Sequence, residues 1–344
     1  MVVTSVVSTR FLASRIINQL RCWFSYALSL FGIVRVRHLP TFVSVEPANF
    51  CQLHCPECPV GIASSPNSPI ANRLMTMELF HSILDDVKEH AHTMQFYFQG
   101  EPLLNKQLPE MIAMAHQVGL YTIVSTNAQA LNRSTAEALV KSGLNRIIIS
   151  IDGFSEESYA AYRIGGSLHK ALEGLQHLAN AKAELHSRIR IELQVLRLRS
   201  NEHEWDWIKK NYKKLGATHL VFKTAQLYNF EHGHPLMPTD ERYSRYRKTA
   251  DGTYVHKSSP LHSTPYTIHR AFGALCLRLW SGCVISTTGE VLPCCYDKEH
   301  KYSLGNLVNQ SLMGIFHSKK ANALRAKVLK DRNHLPEMCK NCNY

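Results

Sequence analysis

From residue 42 to about residue 225 the chain switches repeatedly between two hydrophobic periods. Short runs rich in β-branched and aromatic residues lie at Phe42–Glu46, Met94–Gln99, Tyr121–Thr126, Arg146–Ile151, Arg188–Leu196 and His219–Thr224. Each reads as a strand. Between them, apolar residues recur every three or four positions over Thr76–His90, Lys106–Val118, Ser134–Ser142, Ser155–Asn180 and Asn201–Leu215. That is the period of a helix with one face on a core. Gly119, Gly143 and Gly216 stand where left-handed C-caps are expected, and Ser134, Ser155 and Asn201 where N-caps are. Strands alternating with helices imply parallel strands and right-handed crossovers. An open, partial (β/α)6 TIM-like barrel fits this α/β pattern, and so does a doubly wound sheet. In either case the chemistry belongs beyond the C-terminal ends of the strands.

Residues 1–41 follow another pattern. Ser14, Asn18, Arg21, Ser25, Ser29 and Gly32 form one narrow polar stripe on a helix, and Ile16, Leu20, Trp23, Phe24 and Phe31 lie around it. The first 45 residues hold five arginines (Arg10, Arg15, Arg21, Arg35, Arg37) and no Asp, Glu or Lys. The uncharged run Cys22–Val34 is too short to span a bilayer, and no small-residue cleavage site follows it. A helix packed on the next domain is the commoner use of such a stripe. A basic amphipathic helix can also lie on an anionic membrane, so peripheral membrane contact stays open.

Composition narrows the class. With 45% hydrophobic and 19% charged residues, the chain has the makings of an ordinary core and is neither disordered nor fibrous. The net charge of +12 suits acidic partners. Ten cysteines fall mainly into two groups: Cys51, Cys55 and Cys58, then Cys276, Cys283, Cys294, Cys295, Cys339 and Cys342. Tight spacing within groups so far apart reads as metal ligation in a reducing, cytoplasmic compartment.

The expected strand ends carry the remaining chemistry. Cys51-Gln-Leu-His-Cys55-Pro-Glu-Cys58 follows the first, and Gln99-Gly100-Glu101-Pro102 the second. Ser125, Thr126 and Asn127 end the third, and Ser150-Ile-Asp152-Gly153 the fourth. Structural zinc wants a fourth nearby ligand, which this loop lacks. A 4Fe–4S cluster normally takes four thiolates, and three leave one iron open.

This C-x3-C-x2-C loop after a first strand, with Gly-Glu-Pro after the second, resembles the radical SAM superfamily. The resemblance implies that Cys51, Cys55 and Cys58 ligate a 4Fe–4S cluster whose open iron binds S-adenosylmethionine. It implies that Gly100 and Glu101 hold the methionine amine, that Ser150 contacts the cofactor and that Arg163 meets its carboxylate. Ser125 and Asn127 are ribose candidates. Glu57 departs from the family, which often has an aromatic there, so adenine packing falls to Val195 or Leu196. The C-terminal pattern resembles the SPASM extension in its shortened, twitch form. It implies a second 4Fe–4S cluster on Cys276, Cys294, Cys339 and Cys342, with Cys295 able to replace Cys294 and Cys283 able to replace Cys276. Ile285–Val291 reads as a hairpin turning at Thr288-Gly289.

The domains expected are a helical segment (1–41), a radical SAM partial barrel (42–225), a linker covering the site (226–270) and a SPASM/twitch-like domain (271–344). The implied activity is reductive cleavage of S-adenosylmethionine to a 5′-deoxyadenosyl radical that takes hydrogen from a peptide, a protein or a peptide-derived precursor, or else a small molecule. Asp152, Glu192 and Asp297 are candidate proton acceptors. The basic helix Ser318–Arg332 suits an acidic electron donor, a flavodoxin or ferredoxin or their reductase. No nucleic-acid partner is expected. The reading from a different class is a zinc-stabilised basic binding protein without catalysis.

Overall fold

The computed structural model describes residues 11–63, 72–257, 276–330, 334–340 and 342. Arg10, the end of the expected linker and the Asp331-Arg332 end of the expected basic helix lie outside these residues. In chain order the barrel elements are α1 (Leu12–Leu30), β1 (Phe42–Val45), α2 (Pro59–Ala63), α3 (Met77–Val87), β2 (Thr93–Phe96), α4 (Leu108–Gln117), β3 (Tyr121–Thr126), α5 (Arg133–Lys141), β4 (Arg146–Ser150), α6 (Glu156–Ala160), α7 (Leu168–Glu184), β5 (Arg190–Arg197), α8 (Trp205–Asn211) and β6 (His219–Thr224). A small hairpin follows, β7 (Tyr246–Lys248) and β8 (Tyr254–His256). The C-terminal part holds α9 (Arg278–Ser281), β9 (Gly282–Ile285), β10 (Glu290–Leu292), β11 (Gly305–Asn306), α10 (Leu312–Phe316), α11 (Lys319–Lys330) and α12 (Glu337–Lys340).

Strands β1 to β6 pair in parallel and in chain order. A doubly wound sheet would reverse its order part-way along, so this is the open (β/α)6 barrel. One side of the strands, including Val43, Val45, Met94, Phe96, Ile147 and Leu193, packs on the helices as the main core. Alternation along each strand turns Ser44, Gln95, Arg146, Ser150, Glu192 and Lys223 to the other side, the lumen.

The expected hairpin is present as β9 and β10, with Gly289 left-handed at its turn. What the pattern did not foretell is where it docks. Strand β9 runs parallel to β1, pairing Phe42 with Gly282 through Val45 with Ile285. The C-terminal part thus continues the barrel sheet beyond its first strand, giving the order β11-β10-β9-β1-β2-β3-β4-β5-β6.

Three helix ends differ from expectation. Asn132, not Ser134, caps α5 by accepting from Thr135 N at 2.9 Å. Asn201 is no N-cap: it sits in a 3-10 turn and accepts from Leu198 N and Trp205 Nε1. The expected helix Ser155–Asn180 breaks into α6 and α7. Gly165 is left-handed there, and a turn closes from Gly166 N to Arg163 O at 3.0 Å. Ser155 does cap α6, in a reciprocal box with Ser158.

Helix α1 is inverted relative to the usual surface helix. Its polar side faces inward: Arg15, Asn18, Cys22, Ser25 and Ser29 are buried. Arg15 donates to the carbonyls of Lys88, Val118 and Gly119, which end α3 and α4. These are orphan carbonyls at the negative ends of two helix dipoles, where a guanidinium fits. Asn18 pairs with both backbone groups of Leu39 and donates to His90 O. Arg21, expected in the polar stripe, is exposed instead.

Candidate active site

The first cysteine group occupies the loop that leaves β1. Gly100 lets the loop after β2 lie flat against it: a Cβ there would collide with the backbone of Ala48 and Phe50. Glu101 N donates to Phe50 O at 2.9 Å across the same contact. Gly61 plays the matching part on the other flank, where a Cβ would strike the Cys55 backbone. Cys58 N bonds Cys55 O, and Ile62 N bonds Cys58 O, so the loop winds directly into α2.

The sulfurs have donors aimed at them. Cys51 Sγ accepts from Leu53 N at 3.4 Å and from Asn127 Nδ2 at 3.3 Å. Arg163 directs a guanidinium nitrogen at Cys55 Sγ, 3.9 Å away. Burial pushes the Cys51 thiol up to about 12, with Glu101, Cys55 and Cys58 adding to the rise. Burial raises Cys55 too, and Arg163 opposes that rise. Among the described residues no three His, Cys, Asp or Glu side chains stand close enough to share one metal ion. A zinc ion with bonds of about 2.3 Å would draw its sulfurs to within roughly 4 Å of each other. A four-iron cubane spreads its thiolates wider. Three thiols in one loop, with N–H donors aimed at two of them, are a donor set that fits a cluster.

Strand-end residues surround this loop, some in other roles than expected. Glu101 is fully enclosed and accepts from Thr126 Oγ1 (2.7 Å), Asn127 N (2.8 Å) and Leu103 N (3.1 Å). It braces the ends of β2 and β3 as well as facing the loop. Asn127 meets Cys51 rather than open space, and its Oδ1 accepts from Gln52. Ser150 ends β4, nearly buried, and its hydroxyl has no bonding partner among the described residues. Ser125 faces the lumen, opposite to Thr126. Arg163 is held by Asp152 at 2.6 and 2.7 Å. Asp152 is fully buried, and its other oxygen accepts from Leu196 N at 2.7 Å. It is therefore a strut and not a free proton acceptor.

The other two acids are also engaged. Glu192 pairs with Arg146 (2.6 Å) and Arg190 (3.1 Å), and Asp297 accepts from Tyr302 N within its own turn. Val195 is not available for adenine packing, because alternation along β5 puts it in the core against the helices. Leu196 points the other way and packs with the group around Cys51, Cys55 and Cys58. Glu57 accepts from Tyr228 N at 2.8 Å and pairs with His234 at 3.2 Å. It latches the segment after β6 onto the loop, and Tyr246 fixes that segment through its hydroxyl on both backbone groups of Leu227.

In the C-terminal part, Cys276, Cys294, Cys295 and Cys339 share one hydrophobic cluster with Trp280, Phe316 and Cys22. Cys339 is within electrostatic reach of Cys276 and Cys342. The Cys294 thiol lowers the Cys295 thiol against the effect of burial, and Arg278, which donates to Cys295 Sγ at 3.4 Å, adds to that lowering. Cys283 cannot stand in for Cys276: it points into the main core beside Val43.

Several lumen residues escaped the sequence reading. Lys298 lies between the two cysteine groups, within electrostatic reach of Cys58 and Cys295 and 5.4 Å from the Tyr228 ring. Its carbonyl accepts from Gln99 Nε2 at 2.7 Å. Arg245 is its cationic neighbour, and Lys223 lies in turn within reach of Arg245. Lys223 alternates to the lumen on β6, a placement that needed the strand register, whereas Arg245 and Lys298 lie outside the strands and carried no periodic signal.

Two family models match the chain: the radical SAM superfamily over residues 45–189, and an iron–sulfur cluster-binding domain, SPASM, over residues 276–343. The chain is a radical SAM/SPASM protein. The PqqA peptide cyclase of Rhizobium meliloti (strain 1021) is 26% identical over 311 residues, covering 88% of this chain and 79% of the relative. Native anSMEcpe with bound AdoMet has the same fold, with a TM-score of 0.60, 19% identity and coverage of 88% and 86%. So has Streptococcus suis SuiB bound to precursor peptide SuiA, with a TM-score of 0.61, 13% identity and coverage of 88% and 71%. This radical SAM protein is an enzyme, and its cofactors are S-adenosylmethionine and iron–sulfur clusters.

Proposed function

We propose that this radical SAM enzyme modifies a peptide, or a precursor derived from one. The observation that carries the chemistry is the three-thiol loop with Asn127 and Arg163 directed at its sulfurs. Cys51, Cys55 and Cys58 hold the first cluster, and Cys276, Cys294, Cys339 and Cys342 hold the second. A cluster held by Cys51, Cys55 and Cys58 would supply the one electron that breaks the sulfonium C–S bond of S-adenosylmethionine, giving methionine and a 5′-deoxyadenosyl radical able to take hydrogen from an unreactive C–H bond.

The chain's own residues orient and shield. Gly100 brings the backbone after β2 to the cofactor, and Ser125 and Ser150 offer hydroxyls from the lumen side. Asn127 and Arg163 stabilise the negative sulfurs. The Glu57 latch and the Tyr246 anchor keep the covering segment closed against water. Lys223 on the lumen side of β6, with Arg245 within its reach and Lys298 within reach of Arg245, suits a substrate carboxylate. The peptide assignment draws on the PqqA peptide cyclase and on SuiB with its precursor peptide.

Two partners complete the proposal. The exposed Lys319, Lys320, Lys327 and Lys330 of α11 suit an acidic flavodoxin or ferredoxin. The outward face of α1 suits peripheral contact with a membrane; among the described residues no helix is long and apolar enough to cross one.

Anaerobic reconstitution tests the chemistry. The chain should take up about eight irons and, with dithionite, release 5′-deoxyadenosine from S-adenosylmethionine. Changing Cys51, Cys55 and Cys58 to Ala should leave about four irons and abolish the release. Undiminished release from that variant sinks the site assignment. Mass spectrometry of candidate precursor peptides after turnover tests the substrate class.

A further inference from the structure

We propose that α1 docks the molecule on an anionic phospholipid leaflet and points the open end of the barrel away from it. The inference rests on the peripheral contact proposed above and not on the radical chemistry.

The inversion of α1 is the starting point. Its polar side chains are spent inward, and among the described residues none covers its apolar side. Ile16, Leu20, Trp23 and Phe24 are 48%, 53%, 56% and 66% exposed, and Phe31 just beyond the helix is 80% exposed. Four large apolar residues on the helix, with Phe31 just after it, form one face rather than the scattered leucines of an ordinary surface. The helix is 19 residues, roughly 28 Å, long. Such a face sinks into the boundary between headgroups and acyl chains, and Trp is the residue that settles at that depth.

Charge selects the occupant. Arg21, Arg35 and Arg37 are exposed around the apolar face. No carboxylate exists anywhere in the first 45 residues. A second copy of this chain would bring the same arginines against these and offer no acid from this segment. An anionic leaflet supplies the opposite sign across the whole face.

The anchoring contacts set the orientation. Arg15 and Asn18 hold backbone at Leu39, Lys88, His90, Val118 and Gly119, all just before β1, β2 or β3. Helix α1 therefore closes the N-terminal end of the barrel. The cysteine loop, Glu101, Asn127 and Ser150 follow the strands and lie at the other end. Since α1 is bonded to the barrel rather than tethered to it, docking fixes which end meets the solution.

The test is flotation of the full, cluster-loaded chain with vesicles of phosphatidylcholine, with and without phosphatidylglycerol. Binding should be at least about tenfold stronger with the anionic lipid. Trp23→Asp with Phe24→Asp should lower it by about tenfold or more, and so should the triple change of Arg21, Arg35 and Arg37 to Gln. Vesicle-bound enzyme should still release 5′-deoxyadenosine, because its open end faces the solution. Because the changed side chains are exposed, iron content should be unaltered in every variant. Equal binding to neutral vesicles, or full binding by the Asp variant, overturns the proposal. So does a dimer that the Asp variant dissociates while wild type ignores vesicles. A failure of S-adenosylmethionine cleavage in free solution would instead strike the radical reading and leave the flotation result standing.

Discussion

At the scale of single residues, the site is built from groups that are nearly all engaged. Asp152 and Glu192 sit where a proton acceptor was expected, yet each has arginine on it. Sequence shows the acids; it does not show that an arginine has already claimed each, from the turn after α6 for Asp152 and from β4 and β5 for Glu192. Glu46 is different. It is buried after β1, and burial pushes its carboxyl up from the ordinary 4.5 to about 7, against the lowering pull of Thr287 N, the backbone of Gln99 and Gly100, and His300. A raised carboxyl favours the fold while protonated. Its contribution is whole below about pH 4.5 and is lost as pH climbs through about 7. The loss should approach roughly 3 kcal/mol. Urea unfolding midpoints of wild type and Glu46→Gln, compared across this range, measure it: the variant should lack that fall. Parallel curves for the two proteins would place the titration elsewhere.

At the scale of elements, what the sequence disclosed and what it hid divide along one line. Period and punctuation disclosed the strands and most helices, because those are local. Thr76 caps α3 where the pattern put its start, and Gly119, Gly143 and Gly216 are left-handed as expected. The break between α6 and α7 was hidden, because Leu168 onward keeps the apolar period. Yet that break is what swings Arg163 to the cysteine loop. The facing of α1 was hidden too. Burial of a polar stripe is decided by partners over 70 residues away, here the carbonyls of Lys88 and Val118. Arg15→Gln should destabilise the protein by about 2–4 kcal/mol, since charged hydrogen bonds to two helix ends are lost together. Thermal unfolding checks this. A change under about 0.5 kcal/mol would mean that the helix ends are satisfied without it.

At the scale of the whole molecule, the cysteines announced the chemistry, and the sheet shows how two separate groups of them become one object. Their identities and spacings were legible because thiol ligation needs few residues and fixed intervals. The pairing of β9 with β1 was not, since nothing in Gly282–Ile285 marks the strand it will meet. That pairing covers an edge. A chain ended at residue 257 would leave β1 with its hydrogen-bonding groups exposed, and Ala321 and Leu312 would be missing from the main core. Light scattering should find such a truncated chain aggregated while the full chain stays dispersed.

The same ladder has a further consequence. Four successive residue pairs, Phe42 with Gly282 to Val45 with Ile285, tie the strand that leads into the first cysteine loop to the hairpin flanked by Cys276 and Cys294. The placement of the second cysteine group against the first is therefore tied to strand register, and thermal wandering of a hinge has little say in it. A one-residue slip in that register would shift one group against the other by about 3.3 Å and turn the buried face of β9, Cys283 included, away from the core.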